Sequence, residues 1–141
     1  MGLPVPRPVG ALVQRHGMLL YSGSLLTEFL DGARSLASRI ESEACDRIPW
    51  EAVGRMIRRF HDEGVMHHDL NASNILLCPS GSYLIDFDKG SFATASTNDS
   101  WKQTNLRRLH RSLEKISAGQ DRDLGDYWKT LLSAYVEYSI G

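Results

Sequence analysis

Trp50, Val53, Ile57 and Phe60 stand three or four residues apart between Pro49 and Gly64, and this spacing predicts an amphipathic helix over Pro49–Glu63. Its polar side carries Arg55, Arg58 and Arg59, read as a solvated face. Leu106, Leu109, Leu113 and Ile116 repeat the spacing and predict a second such helix; Trp128, Leu131, Leu132 and Tyr135 predict a third. Ala33–Ile40 has helical composition after the Asp31-Gly32 break, with Leu36 and Ile40 four apart. Strand-like runs come in two pairs. Ala11–Arg15 and Met18–Tyr21 are joined near His16-Gly17, and the apolar character persists through Leu25 to Leu30. Ile75–Cys78 and Tyr83–Phe87 flank Pro79–Ser82, a four-residue turn of favoured chemistry. Three prolines in alternate positions make Gly2–Ala11 an extended leading segment. Strands, helices, a hairpin and further helices in that order define an α+β fold with a mainly helical second part.

Composition narrows this picture rather than changing it. With 141 residues, 42% hydrophobic and 23% charged, the chain is about one ordinary globular domain. Sixteen basic against seventeen acidic residues leave a net charge of -1, so no global field recruits nucleic acid and any anion site must be local. Cys45 and Cys78 have no metal-ligand spacing around them and read as free thiols in a reducing compartment. No run is long and apolar enough for a membrane span, and no signal peptide is recognisable, so a cytoplasmic protein is expected.

The candidate chemistry lies in VMHHDLNASNILL, Val65 to Leu77, where a polar cluster feeds into a strand. Antiparallel counting across the Pro79–Ser82 turn sets Ile75 opposite Asp86, so Asn74 and Asp86 emerge together at the open end of the hairpin, roughly 5 Å apart. Asp69, five residues before Asn74, reaches the same end through the loop. One carboxylate plus one amide oxygen suits magnesium, which fills its remaining positions with water and phosphate oxygens. Asp69, left off the metal, is placed to accept a proton from a substrate hydroxyl. Asp and Asn are also common turn and cap residues, but the two motifs at this separation, around a hairpin and after a helix, favour the metal reading. A metal-dependent hydrolase finds no support, because the five histidines form no HExxH cluster.

HHDLNASN followed by LIDFD resembles the catalytic loop and metal-binding segment of the protein-kinase-like fold: His67, Asp69 and Asn74 match H-x-D-x-x-x-x-N, and Asp86 matches the first residue of D-F-G. More narrowly, GVMHHDLNASNILL, YLIDFDKG, W-x-x-x-NLRRLHRSL and GLPVPRPVGA are similar to the lipopolysaccharide kinase family that phosphorylates 3-deoxy-D-manno-octulosonic acid (Kdo). The resemblance spans nearly the whole chain. It implies transfer of the γ-phosphate of ATP, with Mg2+, to a Kdo hydroxyl of a lipopolysaccharide precursor, Kdo-lipid A, at the cytoplasmic face of the inner membrane, with peripheral membrane contact. It assigns Asp69 as the catalytic aspartate, Asn74 and Asp86 as metal and nucleotide-phosphate ligands, and His67 as a brace of the loop. Residues 1–30 correspond to small-lobe strands and hinge, the hinge at Thr27–Leu30, and residues 31–141 to the large lobe.

Two departures stand out. Asp88 replaces the glycine of D-F-G, and neither it nor Lys89 joins the core set. No glycine-rich phosphate loop, strand lysine or helix glutamate stands ahead of Gly2, so a truncated small lobe with little activity on its own is expected. Arg107 and Arg111 share one helical stripe and Arg108 and Lys115 another. This basic cluster, Lys102 included, reads either as contacts to acceptor carboxylates and phosphates, through Arg107 and Arg111, or as a solvated face. Two other functions stay open: a small-molecule phosphotransferase of the aminoglycoside or choline kinase type, against which NLRRLHRSL speaks, and a non-catalytic kinase remnant.

Overall fold

The computed structural model describes residues 2–16, 20–42, 44–94 and 97–138. Two strands, β1 (Pro8–His16) and β2 (Leu20–Thr27), form an antiparallel hairpin. β1 starts earlier than expected because proline is tolerated at the first residue of a strand, and an irregularity between Pro8 and Gly10 absorbs it. Gly17 of the expected junction, and Met18 and Leu19 of the strand expected at Met18–Tyr21, lie outside the described residues. Leu12, Val13, Leu25 and Leu26 on this hairpin are all about two-thirds exposed.

The helix expected at Ala33–Ile40 is displaced. Arg34–Ser35 form a two-residue strand, β3, paired with Leu77 and Leu76, and helix α1 runs Leu36–Ser42. Ser35 accounts for the shift: its hydroxyl accepts the backbone N–H of Ser38 at 3.1 Å, which caps the helix and ends the extended stretch before it. After a short 3-10 turn at Cys45–Arg47, α2 covers Trp50–Asp62, within a residue of expectation at each end. Its apolar face is sealed, with Trp50, Val53, Ile57 and Phe60 at most 4% exposed. Arg55 and Arg58 on the other side pair with Glu51 and Asp62 one turn away, as a solvated face does.

Strand β4 (Val65–Met66), a second 3-10 turn (Ala72–Asn74), β5 (Ile75–Cys78), β6 (Gly81–Leu84) and β7 (Ser91–Phe92) follow, then helices α3 (Ser100–Gln120) and α4 (Gly125–Glu137). Among the described residues three small antiparallel sheets result: β1-β2, β3-β5-β6 and β4-β7. The β5-β6 turn is tighter than counting suggested. Cys78 pairs with Gly81 and Ile75 with Leu84, so only Pro79 and Ser80 lie outside the ladder and the register is two residues from the expected one. An even slip leaves every side chain on its expected face. Ile75 and Leu77 therefore still point into the core, at 0% and 2% exposure. β6 ends at Leu84 rather than Phe87 because Asp86 takes a left-handed backbone, φ 65°, that no strand accommodates.

The leading segment lies along this hairpin: the Leu84 N–H donates to the Pro4 carbonyl at 3.0 Å, and Arg59 donates to the Gly2 carbonyl at 2.7 Å. One core joins α1, α2, β5, β6, α3 and α4. α2 and α4 approach closely at Gly54, where an added Cβ would sit 2.2 Å from the Leu131 carbonyl oxygen. A helix-interior glycine costs about 1 kcal/mol against alanine, and here it purchases that approach. Beside it His61 is buried, its Nδ1 hydrogen-bonded with the Tyr135 hydroxyl at 2.8 Å. Both cysteines are free thiols.

Two outcomes follow from this interface. Gly54→Ala will lower stability by roughly 1–3 kcal/mol in denaturant melts, against its favourable helix propensity, because the methyl group meets backbone that cannot yield. Burial holds the His61 pKa at about 4 instead of 6.5, so the folded protein keeps the ring neutral while the unfolded chain protonates it. That contribution is complete above pH 6.5 and is lost as pH falls toward 4; it amounts to about 2 kcal/mol between pH 7.5 and pH 5. His61→Phe will flatten this part of the pH dependence of the unfolding midpoint.

Candidate active site

Between β4 and β5 the chain makes the loop His67–Asn74, and four hydrogen bonds close it onto the end of the β5-β6 hairpin. The buried His67 ring bonds the Ile85 carbonyl through Nε2 at 2.8 Å and the Asp69 N–H through Nδ1 at 3.2 Å. Because Nδ1 accepts from a backbone donor, the ring is the neutral Nε2–H tautomer, donating to Ile85. The Asn74 side-chain Nδ2 donates to the Asp69 carbonyl at 2.9 Å, and the Ile85 N–H donates to the Asn74 carbonyl at 3.0 Å. The circuit 67–69–74–85 is thus closed. Phe87 packs edge-on against His67, ring centroids 4.7 Å apart, and stacks on Phe60 of α2, so the same residue ties the circuit to the core.

Asn71 sets the local fold of the loop. Its Oδ1 accepts the N–H groups of Ser73 and Asn74 at 2.9 and 3.2 Å and caps the 3-10 turn that delivers Asn74 to β5. The Ala72 N–H donates to the Ser112 hydroxyl at 3.0 Å, which itself donates to the Leu109 carbonyl, so the loop is fastened to α3. The sequence reading missed both residues. Asn71 carried a legible signal, an asparagine two and three residues before the groups it caps. Ser112 carried none.

Asn74 is buried and Asp69 and Asp86 are exposed. With Nδ2 of Asn74 spent on Asp69, its Oδ1 accepts nothing among the described residues and is the atom open to a cation. Among the described residues no group of three or more His, Cys, Asp or Glu side chains is arranged to hold a metal ion. Asp86 and the Oδ1 of Asn74 are the two hard oxygens that could serve a cation such as magnesium, which fills its remaining positions with water and phosphate.

Three cavities meet here and share walls. An apolar cleft of about 730 Å3 lies between the β1-β2 hairpin and the β5-β6 hairpin, lined by Val5, Leu25, Leu30, Leu76, Asp86 and Asp88 among others. A small polar cavity of about 140 Å3 follows, with Asp86 and Asp88 in its wall beside His68, Asp69 and Lys89. Asp69 also lines a third, of about 720 Å3, together with Arg108, Arg111, Ser112 and Lys115 of α3. The expected substrate contacts divide: Arg111 lies in this wall, whereas Arg107 is absent from it and donates to Thr104 on its own helix at 3.2 Å. Positions 108, 111 and 115 are the residues that share the face. His68 bonds the Ser91 hydroxyl at 2.7 Å.

The fold and the sequence have known counterparts. The fold is similar to that of the solved structure "WaaP in complex with acyl carrier protein", with a TM-score of 0.69 and 21% identity over 96% of this chain and 60% of that one, which makes the fold kinase-like. The model of the lipopolysaccharide kinase (Kdo/WaaP) family matches residues 1–135, and the chain belongs to that family. The chain is 47% identical over 123 residues to the 3-deoxy-D-manno-octulosonic acid kinase of Xylella fastidiosa (strain M23), covering 86% of this chain and 48% of that protein. Its counterpart in Xanthomonas axonopodis pv. citri (strain 306) is 47% identical over 122 residues, covering 86% and 47%; that of Xanthomonas campestris pv. campestris (strain B100) is 45% identical over 135 residues, covering 94% and 53%. The chain spans about half the length of the curated relatives it matches.

Replacing His67 by leucine removes two bonds of the circuit and leaves the Ile85 carbonyl without its donor. His67→Leu is expected to cost roughly 1–3 kcal/mol and to speed amide exchange at Asp69 and Ile85 well beyond that in α4, read by hydrogen exchange.

Proposed function

We propose that this protein carries the catalytic half of a kinase that transfers the γ-phosphate of ATP to a hydroxyl of Kdo in a lipopolysaccharide precursor, Kdo-lipid A. One observation carries the reading: an apolar cleft, a carboxylate pair and a basic cavity succeed one another, with Asp86 common to the first two and Asp69 common to the last two. That is the order base, phosphates, hydroxyl, acceptor. The family match and the named Kdo kinases supply the substrate class. In this reading residues 1–30 form small-lobe strands and hinge, and residues 31–141 the large lobe.

The adenine occupies the cleft under the β1-β2 hairpin. Asp86 and Asn74 would hold the Mg2+ of Mg-ATP, which would draw charge from the phosphate oxygens. The acceptor hydroxyl oxygen attacks the γ-phosphorus, the new O–P bond forms as the bond to the bridging oxygen breaks, ADP leaves, and the hydroxyl proton passes to the Asp69 carboxylate. His67 does not touch substrate. It fixes the backbone of Asp69 relative to Ile85, the residue before Asp86. Asp86 is held at a φ of 65°, a conformation uncommon for a residue with a side chain, and the carboxylate is the group this costs energy to present. No helix among the described residues is long and apolar enough to cross a membrane. Contact with the cytoplasmic face of the inner membrane, where a lipid-linked acceptor would be met, is peripheral in this reading.

The test is transfer of labelled phosphate from ATP to Kdo-lipid A. Asp69→Asn is expected to lower kcat by roughly 10²–10⁴-fold with Mg-ATP affinity retained, while Asp86→Ala weakens Mg-ATP binding in calorimetric titration. Phosphorylation of an aminoglycoside or choline in preference to Kdo-lipid A would move the protein to another substrate class, and equal Mg-ATP binding by wild type and Asp86→Ala would remove the metal role.

A further inference from the structure

Arg108, Arg111 and Lys115 are three and four residues apart on α3 and line one wall of the cavity that Asp69 closes. Their Cα positions span roughly 10 Å along the helix axis. None of the three has an ion-pair partner among the described residues, although lysines and arginines elsewhere do: Arg55, Arg58, Lys102 and Lys129 are each paired. The acidic residue beside them, Glu114, faces His110 at 3.7 Å. Three unpaired cations in one concave wall, in a chain whose net charge is -1, form a local anion site of the kind that composition alone left to be found.

The placement is rigid where it has to be. Ser112, between Arg111 and Lys115 on the same wall, holds the Ala72 N–H, three residues after Asp69. The basic wall therefore keeps a fixed distance from the carboxylate, and an anion seated on it positions the rest of its molecule against Asp69. The nucleotide phosphates belong on the other side of Asp69, by Asp86. A single carboxylate engages one arginine fork. Cations spread along roughly 10 Å fit several anionic groups on one molecule.

We infer that Arg108, Arg111 and Lys115 form an acceptor subsite that binds a multiply anionic glycolipid head group by its own carboxylate and phosphate groups and orients its hydroxyl at Asp69. This rests on the kinase reading for its acceptor but concerns residues on a separate wall. Arg107 is outside it.

The measurement uses Kdo-lipid A in neutral detergent micelles, with binding followed by fluorescence and turnover by phosphate transfer. Single Gln variants at 108, 111 and 115 should each raise the acceptor Kd and KM roughly tenfold, as expected for a lost charged hydrogen bond, and the triple variant should also flatten the dependence on salt. KM for ATP should not move, and Arg55→Gln on α2 should match wild type throughout. Dephosphorylated acceptor should bind wild type more weakly. Unchanged acceptor binding in the triple variant, or a rise confined to the KM for ATP, would overturn the assignment. So would wild-type binding to acidic phosphatidylglycerol vesicles as tight as to acceptor micelles, which would make the wall a membrane contact. Lost acceptor binding in the triple variant with a wild type that neither transfers phosphate nor binds Mg-ATP would leave the subsite standing and remove the kinase reading; Mg-ATP binding by wild type with acceptor binding by the triple variant indistinguishable from it would do the reverse.

Discussion

A buried neutral imidazole can satisfy both ring nitrogens only where one neighbour donates and another accepts, and His67 sits where the Asp69 N–H and the Ile85 carbonyl do so. Everything at the site is measured from that ring. It joins a loop to a hairpin end eighteen residues further along the chain, and Asn74 completes the closure through its side-chain amide and its carbonyl. Because the four bonds share members, the geometry of any one is constrained by the other three, and a shift of the loop would strand several buried polar groups together. The backbone that carries the two exposed carboxylates is thereby tied together.

The scaffold around this circuit distributes labour by distance. α2 and α4, packed through Gly54, provide much of the core, and α2 reaches the site through Phe60, which stacks on Phe87. α3 does double duty: Leu109 and Leu113 are sealed in the core, and the neighbouring face carries the cations of the third cavity. Fastening at Ala72–Ser112 makes the helix part of the site. The β1-β2 hairpin contributes the roof of the apolar cleft and little burial, which is why its large side chains remain in solvent.

How far the sequence could be read follows the range of the interactions involved. α2, α3 and α4 were legible because a 3.6-residue period is written in the residues themselves, and the H-x-D-x-x-x-x-N and D-F-D segments were legible as motifs. β3 was not, since two residues hold no period and Arg34–Ser35 are strand only by pairing with β5. The hairpin register was misjudged by two because Pro79-Ser80 makes the turn alone, yet the inward face came out right, an even slip being invisible to side-chain direction. On α3 the basic residues were legible but not which of them line the cavity: Arg108, Arg111 and Lys115 do, drawn from both stripes, because that depends on how the helix faces the loop it is fastened to at Ser112.

Asp86 occupies backbone territory that glycine enters freely and aspartate does not. Random mutation at this codon therefore has a stabilising direction, toward glycine, that also deletes the carboxylate. Relief of the backbone and possession of the charge therefore exclude one another at this position, and the aspartate keeps the second at the expense of the first.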